Sequence, residues 1–256
     1  MNTPHSDNDT LQPLAGVRAM IFAAGLGTRL RPFTDHHPKA LAVVNGKPLL
    51  QRNIEYLKQS GIRDIMVNVH HFADQIADFI RLHDGFGCDI HISHEAEAPL
   101  ETGGGLMKAA WYFQEHDRPF VVMNADILTN LDLSALYAAH LERQPLATLA
   151  VTARPSSRCL LFDPEMQLTG WRNSKTGAEK IARIPKSDPM ALAFSAVHVI
   201  DPRMLTMVRQ TGIFSIIDTY LDLAADHEIL GFRHDGDIII NVGKPESIAE
   251  AERFFQ

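Results

Sequence analysis

Four residues near the start of the chain have the types and the spacing to bind phosphate groups. Gly25 and Gly27 follow a short apolar segment, Arg29 comes next, and Lys39 stands behind a proline. Glycine has no Cβ atom, so the backbone can turn sharply there and present N–H groups to an anion. Arginine adds a fork of donors, and lysine adds a compact positive charge. The combination predicts a loop that binds the phosphates of a nucleotide.

The charge pattern around this loop also favours a small polyanionic ligand. The whole chain has a formal net charge of −7, which disfavours nucleic acid as a partner. From Arg18 to Arg52, however, six basic residues accompany a single acidic residue, Asp35. A basic cluster can also be a solvated surface, and the cluster alone leaves that alternative open.

The loop differs from the two best-known phosphate-binding motifs. A dinucleotide fingerprint would need a third glycine where Leu30 stands and an acidic residue at the end of the next strand. That strand instead ends in Val-Asn-Val-His at 67–70. A Walker loop needs Gly-Lys followed by Ser or Thr, which is missing here. Both motifs are excluded, so the loop belongs to another class.

An acidic residue at the end of an apolar strand is the best candidate for a metal ligand. Residues 120–126 read Phe-Val-Val-Met-Asn-Ala-Asp, so a buried strand would deliver Asp126 to the edge of a sheet. Mg²⁺ and phosphate groups can meet a carboxylate at such an edge. Capping of a turn or a helix is the alternative role. A phosphate loop opposite this carboxylate favours the metal ligand.

A run of three glycines lies before the third predicted helix. Residues 100–105, Leu-Glu-Thr-Gly-Gly-Gly, precede a helical pattern that begins at Leu106. We expect a loop whose glycines leave space for a flat or bulky ligand, although a plain flexible loop is equally compatible. Glu95 and Glu97 lie just upstream. They either accept hydrogen bonds from a base or ribose or are surface acids.

The elements that would position these residues alternate between strand and helix in the first half of the chain. Strand patterns at 19–24, 64–69, 89–93 and 119–124 are separated by helical patterns. This alternation predicts an α/β fold with a doubly wound, mixed, mostly parallel sheet. Ligands bind beyond the carboxyl ends of such strands, where the glycine loop and Asp126 lie. Further strands and a hairpin around Asp163-Pro164 predict a smaller second lobe that walls a second pocket.

Length and composition predict a single globular domain. The chain has 256 residues, of which 45% are hydrophobic and 21% charged. We expect residues 1–16 to be a flexible leader and residues 17–256 to form the domain. No apolar run approaches the length of a membrane span. The two cysteines, Cys88 and Cys159, have no metal-ligand spacing, so we expect a cytoplasmic protein without a structural disulfide.

The residues of the phosphate loop resemble a known family signature. Gly25-Leu26-Gly27-Thr28-Arg29-Leu30-Arg31-Pro32, with Thr34 and Pro38-Lys39, is similar to the signature of sugar-1-phosphate nucleotidyltransferases. Four further segments resemble the family's base-side loop, metal-bearing strand, sugar-pocket strand and late metal motif: 100–105, 124–126, 194–196 and 241–243. The compact length and the Leu-Glu-Thr-Gly-Gly-Gly segment are most similar to the N-acetylmuramate-1-phosphate uridylyltransferase branch. Mannose- and heptose-1-phosphate enzymes are similar as well.

The resemblance implies a fold, a reaction and a set of site residues. The fold is the Rossmann-like nucleotide-diphospho-sugar transferase type, with a nucleotide-binding half at 17–130 and a sugar-binding half at 131–256. The reaction transfers a nucleotidyl group from an NTP, with UTP favoured, to a sugar 1-phosphate such as N-acetylmuramate 1-phosphate. The implied catalytic residues are Arg29 and Lys39, and the implied cofactor is Mg²⁺, bound by Asp126 and Asn241. The implied nucleotide-binding residues are Ala23, Ala24, Gly25, Leu26, Gly27, Thr28, Arg29, Glu101, Thr102 and Gly103. The implied sugar-binding residues are Asn124, Lys186, Ser195 and Ala196. The expected partners are these two substrates, without nucleic acid or membrane, and the expected state is a monomer or homodimer.

One position departs from the family pattern. The family usually has an aspartate as its second metal ligand, where this chain has Asn241. An amide carbonyl can coordinate a hard cation, but it adds no negative charge. The alternatives are weaker metal binding, a greater role for Asp126, or a non-catalytic nucleotide-binding regulator. A cytidylyltransferase that acts on phosphocholine is a further alternative, while the intact Arg29 and Lys39 favour a sugar-1-phosphate enzyme.

Overall fold

A computed structural model describes residues 13–185 and 187–256 of the chain. The strands in these residues are β1 (Arg18–Phe22), β2 (Val43–Val44), β3 (Lys47–Pro48), β4 (Asp64–Val69), β5 (Asp89–His94), β6 (Phe120–Asn124), β7 (Ile127–Thr129), β8 (Ala147–Thr152), β9 (Arg158–Phe162), β10 (Leu168–Asn173), β11 (Glu179–Ile181), β12 (Met190–Ile200), β13 (Ile229–Arg233) and β14 (Ile239–Asn241). The α-helices are α1 (Leu49–Gln59), α2 (Ala73–Leu82), α3 (Glu101–Lys108), α4 (Ala110–Gln114), α5 (Leu133–Arg143), α6 (Ile216–Leu223) and α7 (Pro245–Ala251). Short 3₁₀ helices lie at Thr28–Leu30, Phe33–Asp35, Lys39–Leu41, Asp84–Gly87 and Pro202–Thr206.

The centre of the fold is a parallel sheet in the order β6-β1-β4-β5. Ile21 of β1 is in register with Met123 of β6 on one side and with Val67 of β4 on the other. Parallel strands in register bring their carboxyl ends to one edge of the sheet. The segments that follow β1, β4 and β6 therefore meet at that edge.

The second half of the chain extends this sheet with mostly antiparallel strands. β12 is antiparallel to β6, β8 and β9, and β9, β10 and β11 follow as an antiparallel ribbon. β13 is parallel to β8. Two small sheets, β2–β3 and β7–β14, lie outside the large one. The expected fold class is confirmed: a mixed α/β sheet with a parallel centre, including the hairpin at Asp163-Pro164 between β9 and β10.

Side chains alternate between the two faces of the central strands and so build two cores. Ile21 and Val67 pack with α1, α2 and α5 on one face, whereas Met20, Phe22 and Met66 pack with α3, α4 and α6 on the other. A third, smaller core joins α7 and β14 to the strand pair β2–β3. Both large cores press directly on the strands that carry the site, which makes that edge of the sheet a rigid platform.

Two segments differ from the sequence prediction. Leu14 is buried and its backbone N–H donates to the carbonyl of Ser60, so residues 13–16 pack on the domain instead of forming part of a leader. The remainder of the expected leader, residues 1–12, lies outside the described residues. The helix expected from Leu106 to Phe113 is divided at Ala109 into α3 and α4. In addition, α3 begins five residues earlier than expected, at Glu101.

Within the described residues, no helix is long and apolar enough to cross a membrane. Cys88 and Cys159 are both free thiols, as expected from their number and spacing.

Candidate active site

A cavity of about 460 Å³ opens at the carboxyl ends of β1, β4 and β6. Its volume is in the range of small-molecule sites in proteins. Twelve residues predicted for the site line it: Ala23, Ala24, Gly25, Leu26, Gly27, Thr28, Arg29, Lys39, Glu101, Thr102, Asn124 and Asp126. Phe22, Ala40, Asn68, Pro99, Ala125 and Gly243 complete the lining. The segments that sequence reasoning placed at one sheet edge thus surround a single space.

The phosphate loop depends on Gly27 for its shape. Gly27 has φ +63°, the left-handed region that favours glycine. A side-chain carbon there would lie 2.9 Å from Cβ of Lys39 and 2.9 Å from Cγ2 of Thr34. The hydroxyl of Thr34 donates to the carbonyl of Gly27 at 3.0 Å. Glycine at this position therefore lets the loop lie directly against the segment that carries Lys39.

Lys39 and Asp126 form an ion pair at the floor of the cavity. The Lys39 Nζ atom donates to Oδ2 of Asp126, and both side chains are largely buried. The other carboxylate oxygen of Asp126, Oδ1, is buried without a hydrogen-bond partner among the described residues. A buried carboxylate oxygen without a partner is unusual in proteins, because burial removes its contacts with water. The site therefore has an unused oxygen ligand in the place where a cation would neutralise it.

The pairing of β7 with β14 places Asn241 next to Asp126. Asn241 is in register with Ile127, and the backbone N–H of Val242 donates to the carbonyl of Asp126 at 2.8 Å. The Asn241 amide nitrogen lies 3.4 Å from Oδ2 of Asp126. The two expected metal ligands are therefore adjacent, although Asn241 itself is not part of the cavity lining. Within the described residues, no group of three or more His, Cys, Asp and Glu side chains could hold a metal.

Arg29 approaches the same place from the phosphate loop. A side-chain carbon at Gly243 would lie 3.2 Å from a guanidinium nitrogen of Arg29 and 2.6 Å from Oδ1 of Asn241. Glycine at 243 thus leaves the space in which these two side chains meet. Two cations, Arg29 and Lys39, and one carboxylate, Asp126, are gathered around one cavity. Such a set can neutralise the phosphates of a bound nucleotide.

Two residues at this edge, Asn68 and Glu95, have positioning roles that the sequence did not predict. Asn68, at the end of β4, accepts a hydrogen bond from the backbone N–H of Ala23 at 2.8 Å and donates to Glu95 at 2.6 Å. Glu95 in turn accepts from the backbone N–H of Leu100 at 2.7 Å. This chain of contacts links the start of the phosphate loop to the start of α3. A polar residue inside an otherwise apolar strand was the available signal for Asn68.

Glu95 does not have either of the roles expected from the sequence. It is only 1% exposed, so it is not a surface acid, and both carboxylate oxygens bind protein donors instead of a base or ribose. Glu97 is exposed.

The three glycines bring protein segments together instead of making space for a ligand. They lie inside α3, not in a loop before it. A side-chain carbon at Gly103 would lie 2.3 Å from the Phe214 ring, one at Gly104 2.3 Å from the carbonyl oxygen of Gly212, and one at Gly105 2.6 Å from Glu95. The expectation of a ligand-accommodating loop was therefore wrong. Glu101 and Thr102 line the cavity, whereas Gly103 faces Phe214 and does not.

The predicted sugar-binding residues occupy different environments. Asn124 lines the cavity. Val197 of β12 pairs with Met123 in the last pair of this ladder, so the preceding residue, Ala196, lies just beyond that pair, toward the end of β6 that carries Asn124. Ser195 is fully buried, and its hydroxyl lies 2.8 Å from Nε2 of His234. Ser195 and Ala196 are not part of the cavity lining, and Lys186 lies outside the described residues.

Comparison with known proteins matches this architecture. The profile of the nucleotidyl transferase family matches residues 18–159, more than half of the chain. The chain is 31% identical over 244 residues to the N-acetylmuramate alpha-1-phosphate uridylyltransferase of Caulobacter vibrioides, covering 91% of this chain and 95% of the relative. It is 29% identical to the enzyme of the same name from Neisseria meningitidis, covering 92% and 97% of the two chains.

Solved structures share the fold over nearly the whole chain. HddC from Yersinia pseudotuberculosis has a TM-score of 0.75 at 22% identity, covering 94% of this chain and all of HddC. A UDP-glucose pyrophosphorylase in complex with UDP-glucose also has a TM-score of 0.75, at 16% identity, covering 93% and 97% of the two chains. The chain therefore belongs to the nucleotidyl transferase family, among the sugar-1-phosphate nucleotidyltransferases.

Proposed function

We propose that this enzyme transfers the uridylyl group of UTP to an N-acetylated amino-sugar 1-phosphate, such as N-acetylmuramate 1-phosphate, and releases pyrophosphate. The observation that carries the proposal is the meeting of Arg29, Lys39 and Asp126 around the cavity beyond the phosphate loop. The preference for UTP and for this sugar is supported by the names of the relatives from Caulobacter vibrioides and Neisseria meningitidis. Their similarity extends over both halves of the chain.

The reaction needs charge neutralisation and alignment more than a proton-transfer residue. A phosphate oxygen of the sugar 1-phosphate attacks the α-phosphorus of the nucleotide, a new P–O bond forms, and the bond to the pyrophosphate leaving group breaks. The glycine loop and Arg29 would hold the β- and γ-phosphates. Lys39 would stabilise the negative charge that develops at the α-phosphate, a role that a preorganised cation serves in a water-poor site. Side chains held on a rigid sheet edge supply the alignment.

The residues present fit a divalent cation. Asp126 has one buried carboxylate oxygen without a partner among the described residues, and Asn241 adds a neutral amide beside it. Mg²⁺ prefers oxygen ligands, and in nucleotide sites it uses one or two carboxylates together with substrate phosphates. Asp126 and Asn241 would hold the ion, which when bound would neutralise charge on the substrate phosphates. The Asn241 amide nitrogen faces Asp126, so the amide must turn to present its oxygen to a metal.

A substrate panel tests the proposal directly. Pyrophosphate release is measured for UTP, GTP, CTP, ATP and dTTP against N-acetylmuramate 1-phosphate, N-acetylglucosamine 1-phosphate, glucose 1-phosphate, mannose 1-phosphate and phosphocholine, with Mg²⁺ titrated from zero. We expect the highest kcat/KM for UTP with an N-acetylated amino-sugar 1-phosphate, and no turnover without a divalent cation. Equal or higher kcat/KM for another nucleotide or a neutral hexose 1-phosphate would contradict the specificity. The same panel with Lys39→Met controls for contaminating activity.

A cytoplasmic location, where nucleoside triphosphates are available, is part of this proposal. A monomer or homodimer stays a prediction, which light scattering of the purified protein can decide.

A further inference from the structure

The part of β12 predicted for sugar binding, Ser195 and Ala196, is called the sugar-side edge below and contains a residue in a conformation that its side chain does not favour. In the pairing of β12 with β8, Phe194 is opposite Val151 and His198 is opposite Leu149, so three residues of β12 span the place of one on β8. Ala196 lies in this bulge with φ +54°. A residue with a Cβ atom in the left-handed region costs roughly 1–2 kcal/mol relative to ordinary backbone. Something nearby must hold the bulge in this shape.

A buried polar chain begins at the residue before Ala196. The Ser195 hydroxyl lies 2.8 Å from Nε2 of His234, and Asp237 Oδ2 lies 3.3 Å from Nδ1 of the same ring. The backbone N–H of His234 donates to the carbonyl of Val151, the residue opposite Phe194. A neutral imidazole with its proton on Nδ1, the nitrogen on the side of Asp237, can accept from the Ser195 hydroxyl at Nε2. Burial lowers the pKa of His234, which keeps the imidazole neutral and able to accept.

The order of contacts is that of a hydrolytic Ser-His-Asp triad, but the burial is not. Ser195 is 0% exposed and His234 is 6% exposed, so no substrate atom can reach the hydroxyl. The buried contact between Ser195 and His234 fixes local geometry, and Asp237 lies 3.3 Å from Nδ1 of His234 without a hydrogen bond. Its far end, Asp237, lies two residues before β14, the strand that carries Asn241. The polar contacts thus connect the sugar-side edge to β14, the strand that contains the second proposed metal ligand.

We infer that His234 and Asp237 are positioning residues for the sugar 1-phosphate, because they hold Ser195 and thereby the left-handed Ala196 bulge, which lies toward the end of β6 that carries Asn124. The inference rests on the proposed function and adds residues that do not touch the substrate. Without these polar contacts, Ala196 adopts an ordinary backbone conformation in most molecules. Only the remaining fraction of molecules has the left-handed bulge that binds the sugar 1-phosphate. Apparent affinity falls by that fraction. The nucleotide loop on β1 is not part of the chain and keeps its affinity.

The test compares His234→Ala with an equally buried control. His140→Ala removes another buried imidazole, which contacts Thr148 at the opposite end of β8. For His234→Ala we expect KM for the sugar 1-phosphate to rise about tenfold and KM for the NTP to change less than about twofold. For His140→Ala both KM values stay unchanged although the melting temperature falls. His234→Gln, whose amide oxygen can accept from Ser195, restores most of the sugar KM.

A second substitution separates positioning from general damage. Ala196→Gly removes the cost of the left-handed conformation, so the double variant His234→Ala/Ala196→Gly should recover sugar KM to within about threefold of wild type. Three results would overturn the inference. They are an unchanged KM for the sugar 1-phosphate in folded His234→Ala, equal rises in both KM values, and no recovery of the sugar KM in the double variant. If His234→Ala does not fold, Asp237→Asn and Ser195→Ala, which remove one contact each, take its place. Absence of wild-type turnover with every sugar 1-phosphate overturns the proposed function instead, and with it this inference.

Discussion

Lys39 and Asp126 form an ion pair at the position where a divalent cation would bind. The ammonium of Lys39 contacts one carboxylate oxygen of Asp126, and the other oxygen has no partner among the described residues. A cation and the lysine therefore compete for the same carboxylate. Binding of a nucleotide would offer Lys39 a phosphate instead, so metal and nucleotide should bind cooperatively.

Replacing the lysine tests this competition. For Lys39→Met we expect Mn²⁺ to bind the nucleotide-free protein about five- to tenfold more tightly, because the competing ammonium is removed. Mn²⁺ titration followed by electron paramagnetic resonance measures this without turnover. Turnover itself should fall by roughly 10²–10³, since one preorganised cation at the α-phosphate is lost. Asp126→Asn serves as the control and should weaken Mn²⁺ binding; weaker Mn²⁺ binding by Lys39→Met would refute the competition.

Asn241 is the second proposed metal ligand, and its amide adds no negative charge to the site. For Asn241→Asp we expect half-maximal activation at about tenfold lower Mg²⁺, because a carboxylate beside Asp126 adds a full negative charge near the cation. Mg²⁺ titration of pyrophosphate release and Mn²⁺ binding should shift in the same direction. Asn241→Ala, which removes the amide without adding charge, is the matched control and should not tighten binding. An unchanged or weaker metal dependence of Asn241→Asp would show that position 241 is not a ligand.

At the scale of single elements, helix α3 forms because of its tertiary packing and against the low helix propensity of its residues. Glycine is a poor helix former, yet Gly103, Gly104 and Gly105 form consecutive residues of this helix. The backbone N–H of Gly103 donates to the carbonyl of Phe214, and that of Phe214 donates to the carbonyl of Leu100. These contacts satisfy backbone groups at the start of the helix that would otherwise have no partner. They also fix Glu101 and Thr102 at the wall of the cavity.

A substitution in α3 shows which effect is larger. Propensity alone predicts that Gly104→Ala stabilises the protein by about 1 kcal/mol. The added carbon would lie 2.3 Å from the backbone oxygen of Gly212, and overpacking of this kind costs roughly 1–3 kcal/mol or more. We therefore expect a net loss of about 1–2 kcal/mol in the free energy of unfolding, measured with urea. Gly236→Ala, with no atom within 4 Å of the added carbon, is the control and should have little effect.

At the scale of the whole molecule, buried histidines make stability depend on pH, and His140 and His198 have the largest changes in pKa. Burial lowers the pKa of His140 to about 4 and that of His198 to about 3. The Tyr220 hydroxyl lies 2.6 Å from Nδ1 of His198, a contact that suits the neutral imidazole. In the unfolded chain both histidines titrate near 6.5, so below that pH the unfolded state binds more protons than the folded state.

Stability should therefore fall as the pH falls below about 6.5. Each of the two histidines contributes a slope of up to roughly 1.4 kcal/mol per pH unit, which continues down to its folded pKa. Urea unfolding at pH 7.5, 6.5, 5.5 and 5.0 measures the change. His140→Gln should reduce the slope by up to roughly 1.4 kcal/mol per pH unit, the contribution of one histidine, whereas His36→Gln, at an exposed position, should leave it unchanged. A free energy of unfolding that stays constant from pH 6.5 to 5.0 would contradict the expected linkage.

Residues with local signals were predictable, and residues fixed by distant contacts were not. The phosphate loop and Asp126 were placed at one sheet edge because strand periodicity and position after a strand are local properties. Glu95 could not be assigned, because its burial depends on Asn68 and Leu100. The glycines of α3 were read as a loop because their neighbours, Gly212 and Phe214, lie about a hundred residues later in the sequence. The bulge at Ala196 does not change the hydrophobic pattern of its strand, so the sequence gives no signal for it.

The pairing of β7 with β14 joins two distant parts of the sequence in the proposed metal site, so this site can be completed only late in synthesis of the chain. Asp126 leaves the ribosome 115 residues before Asn241. The phosphate loop and Asp126 can be in place while Asn241 and Gly243 have not yet been made. A nascent or truncated chain that stops short of β14 would thus contain most of the nucleotide cleft without the complete metal centre. If Asn241 is a metal ligand, we expect such a fragment to have no turnover until β14 pairs with β7.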